Sequence, residues 1–195
     1  MAINPGGSYA IPGAKFPGFG SAQYYPPTIP FLTTSTTKQS TLGRLYALPF
    51  YCPNTKSFTG ISIEQTSTTT GNVRMGVYND SNGYPGTLKT DAGAVAFPGS
   101  TGIRTGTATI ALTGGQWYWL AAVFDTSTMQ YVGPSDNDTA YYFDQLADHG
   151  IYTAAATFSP SNSCFYATQA YGALPDPFPA FTAYNGNVPL LCLKG

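Results

Sequence analysis

Charged side chains are scarce in this chain of 195 residues. They make up 9% of it, whereas about a quarter of an average soluble domain is charged. The nine acidic and eight basic residues give a formal net charge of -1. Proteins that bind nucleic acid cluster lysine and arginine to neutralise phosphates, and the sequence has no such cluster. We therefore expect no nucleic acid among its partners, and a surface that is largely neutral or covered by other protein.

Glutamate and histidine, two residue types that often carry acid–base or metal chemistry, are nearly missing. Glutamate occurs once, at Glu64, and histidine once, at His149. The cysteines Cys52, Cys164 and Cys192 lie far apart, so they suggest neither a zinc site nor a disulfide framework. Their odd number suits a protein made in a reducing cytosol, and no G-x-S-x-G nucleophile elbow occurs. We predict no enzymatic activity, no cofactor and no metal site.

Two weaker alternatives keep enzymatic or metal chemistry open. His149 stands near Asp144 and Asp148 and could join a distant serine in a hydrolase, but a solitary histidine beside a helix end is more often a surface or capping residue. The oxygen-rich run 135–138 could hold calcium, although it lacks the glycine and glutamate of an EF-hand loop. A polar turn is the simpler interpretation. Residues 138–149 fit a short helix or a strand.

Long apolar runs are missing as well. No stretch of about 18 apolar residues occurs, and residues 1–7 lack the basic region and apolar run of a signal peptide. We expect neither membrane insertion nor export.

Proline and glycine are abundant in residues 1 to about 30, where they exclude a regular helix or an inner strand. Between them lie apolar and aromatic residues that a solvated linker would not favour: Tyr9, Ile11, Phe16, Phe19, Tyr24 and Tyr25. We predict an extended attachment arm over residues 1–38 that docks through these side chains, with the polar segment 33–41 as a hinge. A disordered tail is the alternative. Residues 39–195 form the predicted folded domain.

From residue 42 onward, short strand-like runs alternate with turn residues, which is typical of an all-β sandwich or barrel. The predicted strands are 42–52, 57–66, 72–78, 93–97, 105–112, 116–125, 164–168 and 188–193. Asn79–Gly83 and Gly114–Gly115 are turn signals, and residues 172–179 form a loop between the last two strands. The predicted fold class is therefore all-β.

The third of these runs shows an alternation of residue types. Val73, Met75 and Val77 alternate with Arg74 and Gly76, which is the period of a half-buried strand. We predict that the three apolar side chains lie in the core and that the other face is wet.

The run 116–125 is apolar on both faces, which predicts a central strand that is covered twice. Trp117, Trp119 and Leu120 are its predicted core residues. Exposed tryptophan and tyrosine can also stack on sugar rings, so glycan recognition through loop tyrosines stays open.

Seven short segments follow one another in a characteristic order across residues 42–195. They are Leu45–Phe50 (LYALPF), Phe58–Ile61 (FTGI), Gly71–Tyr78 (GNVRMGVY), Tyr84–Leu88 (YPGTL), Gly115–Leu120 (GQWYWL), Tyr171–Pro175 (YGALP) and Val188–Leu190 (VPL). As an ordered set they resemble a module of bacteriophage tail-fibre, minor tail and other virion-surface proteins. The resemblance implies an antiparallel jelly-roll-like β-sandwich, usually trimeric, without catalytic residues. It further implies turns such as Tyr84–Gly86 and core strands such as Trp117–Leu120.

The resemblance and the composition favour a non-enzymatic structural protein of a bacteriophage virion. We expect it to be made in the host cytoplasm and to act as a tail-fibre or adhesin-type protein or as a capsid decoration. Its expected partners are other virion proteins, copies of itself in a homotrimer, and host surface glycans. Low charge protects little against association, and symmetric assembly would cover neutral patches. A stand-alone carbohydrate-binding module is the alternative from another class.

Overall fold

The regular structure of the chain is built of strands. A computed structural model describes residues 23–27, 35–134, 164–184 and 187–195, and within these residues every regular element is a β-strand. The strands are β1 (Tyr24–Tyr25), β2 (Ser35–Gln39), β3 (Arg44–Cys52), β4 (Lys56–Gln65), β5 (Thr70–Ser81), β6 (Tyr84–Pro98), β7 (Gly102–Leu112), β8 (Gln116–Phe124), β9 (Gln130–Pro134), β10 (Cys164–Thr168), β11 (Phe181–Tyr184) and β12 (Cys192–Lys194). The predicted all-β class is confirmed.

The strand pairing is that of one long hairpin rolled into two sheets. β5 pairs with β6, β4 with β7, β3 with β8 and β2 with β9, all antiparallel. Successive strand pairs of this hairpin lie in alternate sheets. Pairing of β4 with β9 joins two of these pairs in one sheet, and pairing of β5 with β8 joins the other two in the second sheet. The resulting orders are β2-β9-β4-β7, which we call the front sheet, and β3-β8-β5-β6, the back sheet. These are the strand orders of a jelly roll, so the expected antiparallel jelly-roll-like sandwich is confirmed.

Shorter strands extend both sheets. In the front sheet β12 pairs with β4 and β1 pairs with β12, and in the back sheet β10 pairs with β3 and β11 pairs with β10. Tyr24 pairs with Lys194, and the Gly195 amide donates a 2.8 Å hydrogen bond to the Gln23 carbonyl. The described end of the predicted arm is therefore a strand fastened to the C-terminal residues.

The polar segment predicted as a hinge forms an edge strand over most of its length. Ser35–Gln39 is β2, which pairs with β9 throughout, for example Thr37 with Val132. Threonine is β-branched and favours the pleated conformation, and polar residues suit the outermost strand of a sheet because one of its edges faces solvent. Residues 35–39 are therefore a paired strand and not the predicted hinge. This strand also crosses the boundary that was predicted at residue 38 between the arm and the folded domain.

The main core lies between the two sheets. Val73, Met75 and Val77 on β5 are fully buried there, and so is Leu120 on β8. They pack in one cluster with front-sheet residues such as Ile61. These are side chains that the two-residue period of their strands directs to the same face.

A second apolar layer lies on the outer face of the back sheet. Trp119, Ala121 and Val123 of β8 belong to it, together with Tyr78 of β5, and all of them are buried. Residues 171–180, between β10 and β11, lie over this face and are called the cover segment below. β8 is thus buried on both faces, as its composition predicts.

The wet outer face predicted for β5 is wrong, because the cover segment lies over it. Leu174 packs directly above Gly76, where an added Cβ would collide with Leu174 Cδ1. Arg74 is half-buried and forms a 2.8 Å salt bridge with Asp91. This face is therefore covered although it carries a charged side chain and a glycine. The charge of Arg74 is paired, and Gly76 leaves the space that Leu174 occupies.

Hydrogen bonds to backbone carbonyls fasten the cover segment to the hairpin of β5 and β6. The Tyr78 hydroxyl donates to the Pro175 carbonyl at 2.8 Å, and the Phe178 amide donates to the Gly86 carbonyl at 2.9 Å. The ring of Phe178 meets that of Tyr78 edge to face, with centroids 5.0 Å apart. The segment is an ordered part of the sandwich rather than a loose connection.

A two-residue turn joins β5 and β6. Asn82 (φ 55°) and Gly83 (φ 85°) adopt the left-handed conformation that this kind of hairpin needs. The Gly83 amide donates a 3.0 Å hydrogen bond to Asp80 Oδ2. The turn expected at Tyr84–Gly86 is wrong, since these residues begin β6 and Pro85 pairs opposite Asp80. Proline is tolerated there because β6 is an edge strand of the back sheet.

Candidate ligand-binding site

A shallow cleft opens at the end of the back sheet where β5 ends and β8 begins. Its volume is about 200 Å³. The lining residues are Asn79, Asp80, Gly115, Gln116, Trp117 and Tyr118. Asn79 lies opposite Tyr118 on the neighbouring strand, so the two strands form one continuous wall. Residues with amide, carboxylate and aromatic side chains therefore come together around the end of these two strands.

Two aromatic rings stand together beside this space. Tyr51 of β3 and Trp117 of β8 are paired directly across the strands, and their ring centroids are 5.2 Å apart with an angle of 49° between the planes. Tyr51 is 36% exposed and Trp117 is half-buried. Tyr51 and the cleft lining together are called the aromatic cleft below.

The prediction that Trp117 lies in the core is wrong. Because alternate residues of a strand share a face, Trp117 lies on the outer face of the back sheet with Trp119. Trp119 is 2% exposed in the outer layer, whereas Trp117 is not part of that layer. Alternation fixes the face of a side chain but not the point at which the layer covering that face stops.

Asp80 holds the cleft in shape. Its Oδ1 accepts a 2.8 Å hydrogen bond from Trp119 Nε1, and its Oδ2 accepts the bond from the Gly83 amide. A buried indole N–H normally needs such a partner. Asn79 is also positioned, since its Nδ2 donates a 2.9 Å hydrogen bond to Thr87 Oγ1. That bond leaves one amide hydrogen and the carbonyl oxygen of Asn79 for other partners.

Gln116 stands at the start of β8, directly after a glycine turn. Gly115, at φ 76°, adopts a conformation that favours glycine, and its amide donates a 2.7 Å hydrogen bond to the Cys52 carbonyl. The Gln116 side chain is exposed, and within the described part of the chain its amide makes no hydrogen bond. It offers one acceptor and two donor hydrogens.

The charges around the aromatic cleft are balanced. Asp80 is the acidic residue in the lining. Lys89 Nζ lies 5.5 Å from the centroid of the Tyr118 ring, where a cation is attracted to the ring face. The Tyr118 hydroxyl is occupied, since it accepts a 2.9 Å hydrogen bond from the Thr113 amide. The arrangement suits binding through neutral hydrogen bonds and aromatic contact.

A second aromatic cluster surrounds Arg44 at the start of β3. Its guanidinium carbon lies 4.6 Å and 4.7 Å from the ring centroids of Tyr166 and Tyr184. Tyr46 lies beside them in the inner core, and burial raises its pKa. Because Tyr166 and Tyr184 pack against that core, we assign this cluster to the fold, where the cation–π contacts close one end of the sandwich.

The predicted attachment arm lies mostly outside the described residues. Tyr24 is 39% exposed on β1, and Tyr25 is half-buried with its ring 5.8 Å from that of Phe58 in an edge-to-face contact. The other predicted arm residues fall outside the described ranges: Tyr9, Ile11, Phe16 and Phe19. Docking of the arm through those side chains stays a prediction.

The candidates for catalysis and calcium binding also fall outside the described residues. They are Asp144, Asp148, His149 and residues 135–138, and the helix or strand predicted at 138–149 falls there too. Within residues 23–27, 35–134, 164–184 and 187–195, no group of three or more His, Cys, Asp or Glu side chains could hold a metal ion. In the same ranges there is no helix of the length and apolar character that a membrane span requires.

Sequence analysis missed the aromatic cleft as a site. Tyr51 comes shortly before a Pro-Asn pair and Gln116 directly after Gly114–Gly115, so aromatic and amide side chains beside turn residues were the available signal. What brings them together is the pairing of β3 with β8 and of β8 with β5. That long-range pairing cannot be read from spacing.

No protein-family model matches the chain, and neither curated proteins nor solved structures include a significant match. The resemblance to virion-surface proteins therefore rests on the residues of this sequence.

Proposed function

We propose that this chain is a non-enzymatic structural protein of a bacteriophage virion, displayed on the particle as a tail-fibre or adhesin-type protein or as a capsid decoration. The observation that carries the proposal is the jelly-roll order of the front and back sheets. Viral capsid proteins and lectins both use this fold. Because one fold can serve many functions, the side chains must also suit the role.

The segments behind the family resemblance occupy structural positions of the sandwich. Leu45–Phe50 and Gly115–Leu120 belong to the paired strands β3 and β8, with Leu48 directly opposite Leu120. Tyr171–Pro175 belongs to the cover segment. This supports a resemblance of fold, carried by core and turn positions.

The aspartates of the described residues serve the fold, which supports a non-enzymatic role. Asp91 pairs with Arg74. Asp125 accepts hydrogen bonds from the amide and the side-chain Nδ2 of Asn72, at 2.8 Å and 2.7 Å. Asp80 binds the Trp119 indole and closes a turn. Carboxylates engaged in this way are poorly suited to proton transfer.

The proposal includes a homotrimer attached to other virion proteins through the N-terminal arm. A neutral sandwich surface favours such closed assembly. Size-exclusion chromatography with light scattering on the purified chain measures this directly. The expected mass is three times 20.6 kDa, and a dispersed monomer contradicts the trimer.

Location on the particle is tested by immunogold electron microscopy of purified phage with antibodies against the chain. A variant lacking residues 1–22 keeps β1 and β2, which belong to the front sheet, so it should fold and assemble but fail to join particles. The full-length chain added to the same particles is the matched control. Unlabelled particles, or undiminished attachment of the shortened chain, contradict the proposal.

The second candidate function, a stand-alone carbohydrate-binding module, is favoured by the partly exposed Tyr51–Trp117 pair. It requires a monomer that binds a glycan outside any particle. The same light-scattering measurement separates the two functions.

A further inference from the structure

We propose that Arg44, together with the hydroxyls of Thr168 and Thr182, binds a phosphoryl group at the end of the sandwich where β3 begins. The inference goes beyond the proposed function and does not depend on it, because it assigns a ligand class to side chains that the proposed function does not use. A free phosphate ion and a phosphodiester of a cell-surface polymer are the two sources of such a group.

The guanidinium of Arg44 has no counterion within the part of the chain that the structure describes. Arg74, by comparison, forms a salt bridge with Asp91. No carboxylate or carbonyl oxygen of the described residues accepts a hydrogen bond from Arg44, which is only half-buried. Since a guanidinium carries five N–H donors, most of the donors of Arg44 remain available to a ligand.

Two tyrosine rings hold this guanidinium in place. Its carbon lies 4.6 Å from the ring centroid of Tyr166 and 4.7 Å from that of Tyr184. These contacts stabilise the guanidinium as a cation, whereas binding a phosphate uses the planar fork of N–H groups at its edge. The contacts therefore serve the fold and also lower the side-chain entropy that Arg44 would lose on binding.

The strand register places two hydroxyls on the same face as Arg44. Thr168 of β10 lies directly opposite Arg44, and Thr182 of β11 lies directly opposite Tyr166. Paired residues and alternate residues of neighbouring strands share a face of the sheet. Both threonines are exposed, so their hydroxyls can donate hydrogen bonds to a ligand beside the guanidinium.

A buried hydroxyl near Arg44 also lacks a partner. Tyr46 lies two residues after Arg44 on the same face of β3, and its ring centroid is 5.9 Å from that of Tyr184. Tyr46 is fully buried, and among the described residues its hydroxyl has no hydrogen-bond partner. Buried polar groups are normally bonded to protein or to ordered water, so an oxygen bound at this end of the sandwich would relieve an unfavourable state.

This set of donors suits a phosphoryl group better than a carboxylate. The fork of an arginine binds two oxygens, which are all the oxygens that a carboxylate has. A phosphoryl group has further oxygens that can accept from the hydroxyls of Thr168 and Thr182. Because the site is open to solvent, salt should weaken the attraction, and several copies acting together should strengthen binding to a polymer.

Isothermal titration calorimetry of the purified full-length chain provides the first test, at low ionic strength where screening is weak. The probes are inorganic phosphate, glycerol 1-phosphate and a poly(glycerol phosphate), with acetate as the carboxylate probe. We expect saturable binding of the phosphate probes and weaker binding of acetate. Tighter binding of the polymer than of inorganic phosphate supports the site with a surface polymer as the source, and tighter binding of inorganic phosphate supports it with the free ion.

Variants test the residues themselves. Arg44→Gln should weaken binding about tenfold or more, the equivalent of losing one hydrogen bond to a charged group. Arg44→Lys keeps the charge but not the fork, so it should weaken binding by a smaller factor, as should Thr168→Val. Lys194→Gln is the matched control, since it removes one positive charge from the front sheet, and its affinity should stay unchanged. Circular dichroism verifies the fold, and Thr168→Val with Thr182→Val decide the matter if the Arg44 variants fail to fold.

Three results overturn the inference. The first is no saturable binding of any phosphate probe. The second is binding of acetate as tight as that of phosphate, which would contradict the ligand class. The third is a loss of affinity in Lys194→Gln equal to that in Arg44→Gln, or unchanged affinity in all folded variants of Arg44, Thr168 and Thr182, since either would show that binding does not occur at this end of the sandwich.

Discussion

Gly76 shows how a single missing side chain makes room for a whole layer of the molecule. An added Cβ there would collide with Leu174 Cδ1 and with the Thr90 carbonyl oxygen. Since the carbonyl belongs to the neighbouring strand, the clash cannot be relieved by a rotamer change. Gly76→Ala should lower the free energy of unfolding by about 1–3 kcal/mol, as measured by urea denaturation.

Gly172→Ala is the matched control for Gly76→Ala. It lies in the same cover segment as Leu174, and no heavy atom lies within 4 Å of the added Cβ. Its free energy of unfolding should stay within about 0.5 kcal/mol of the parent or rise slightly, because alanine restricts the unfolded chain. Equal destabilisation by both substitutions would disprove the contact of Leu174 over Gly76.

The three cysteines are free thiols, of which Cys52 and Cys164 are buried and Cys192 is partly buried. Burial raises the pKa of Cys164 and of Cys52, and it raises the pKa of Cys192 to about 12. Only the thiolate reacts with alkylating agents. About 8 M urea should unfold the chain. At pH 8 the native chain should therefore react with iodoacetamide far more slowly than the unfolded chain. Mass spectrometry counts the labels, and rapid native labelling at Cys164 would contradict its burial.

At the scale of elements, strand positions could be predicted well and strand partners could not. The runs 105–112, 116–125 and 164–168 lie within a few residues of β7, β8 and β10, because alternating or doubly apolar patterns have a direct physical cause. β9 and β11 are short and were missed, and 188–193 overlaps the three-residue β12 only at Cys192 and Leu193. Short strands carry too few residues to show a period.

The position of the cover segment cannot be predicted from its own sequence. Its composition predicts a loop over residues 172–179, and the structure indeed has no strand at these residues. Whether such a loop lies over a sheet or in solvent depends on contacts such as Phe178 with Tyr78 and Leu174 with Gly76. The prediction that Trp117 lies in the core was wrong for the same reason. A tryptophan on the outer face is buried only where the cover segment extends over it.

Phe178 is the residue that should hold the cover segment in place. It is 7% exposed and packs edge to face on Tyr78. Phe178→Ala should lower the free energy of unfolding by about 3 kcal/mol. It should also shift the fluorescence emission of Trp119 toward longer wavelength, because water reaches the outer layer.

Phe50→Ala separates these two effects. Phe50 is 3% exposed in the inner core, on the other side of the back sheet, so its loss should destabilise the chain by a similar amount without altering the emission of Trp119. An emission shift of equal size in both variants would show that the two layers do not behave as distinct units.

At the scale of the whole molecule, the low charge and the two apolar layers have one explanation. A back sheet buried on both faces needs apolar side chains at nearly every position of its central strands, and β8 meets that need. The same arrangement buries titratable tyrosines. Burial raises the pKa of Tyr78, and it raises the pKa of Tyr131, which neighbours Tyr46, well above the ordinary value of 10.0.

These raised pKa values predict that the sandwich loses stability in alkali. Below about pH 8, the buried groups are mostly protonated in both folded and unfolded chains, so their contribution to stability is nearly complete. Above the ordinary values of 9.0 for Cys164 and 10.0 for Tyr131, the unfolded chain releases protons that the folded chain retains. The unfolded state then binds fewer protons, so the free energy of unfolding falls as pH rises. Urea midpoints measured at pH 7, 9, 10 and 11 should decrease progressively above pH 9.

Tyr131→Phe tests whether buried phenols cause this loss. The substitution keeps the ring that stacks on Phe124 at 4.9 Å but removes the hydroxyl that donates a 2.8 Å hydrogen bond to the Asn187 carbonyl. We expect lower stability than the parent at pH 7, by about 1 kcal/mol, and a shallower decline toward pH 11, so that the two curves converge. Tyr24→Phe, which removes a surface hydroxyl from the same sheet, should run parallel to the parent curve. Curves for Tyr131→Phe and the parent that stay parallel up to pH 11 would assign the alkaline loss to other groups, because a phenol that is absent cannot contribute to the difference in bound protons.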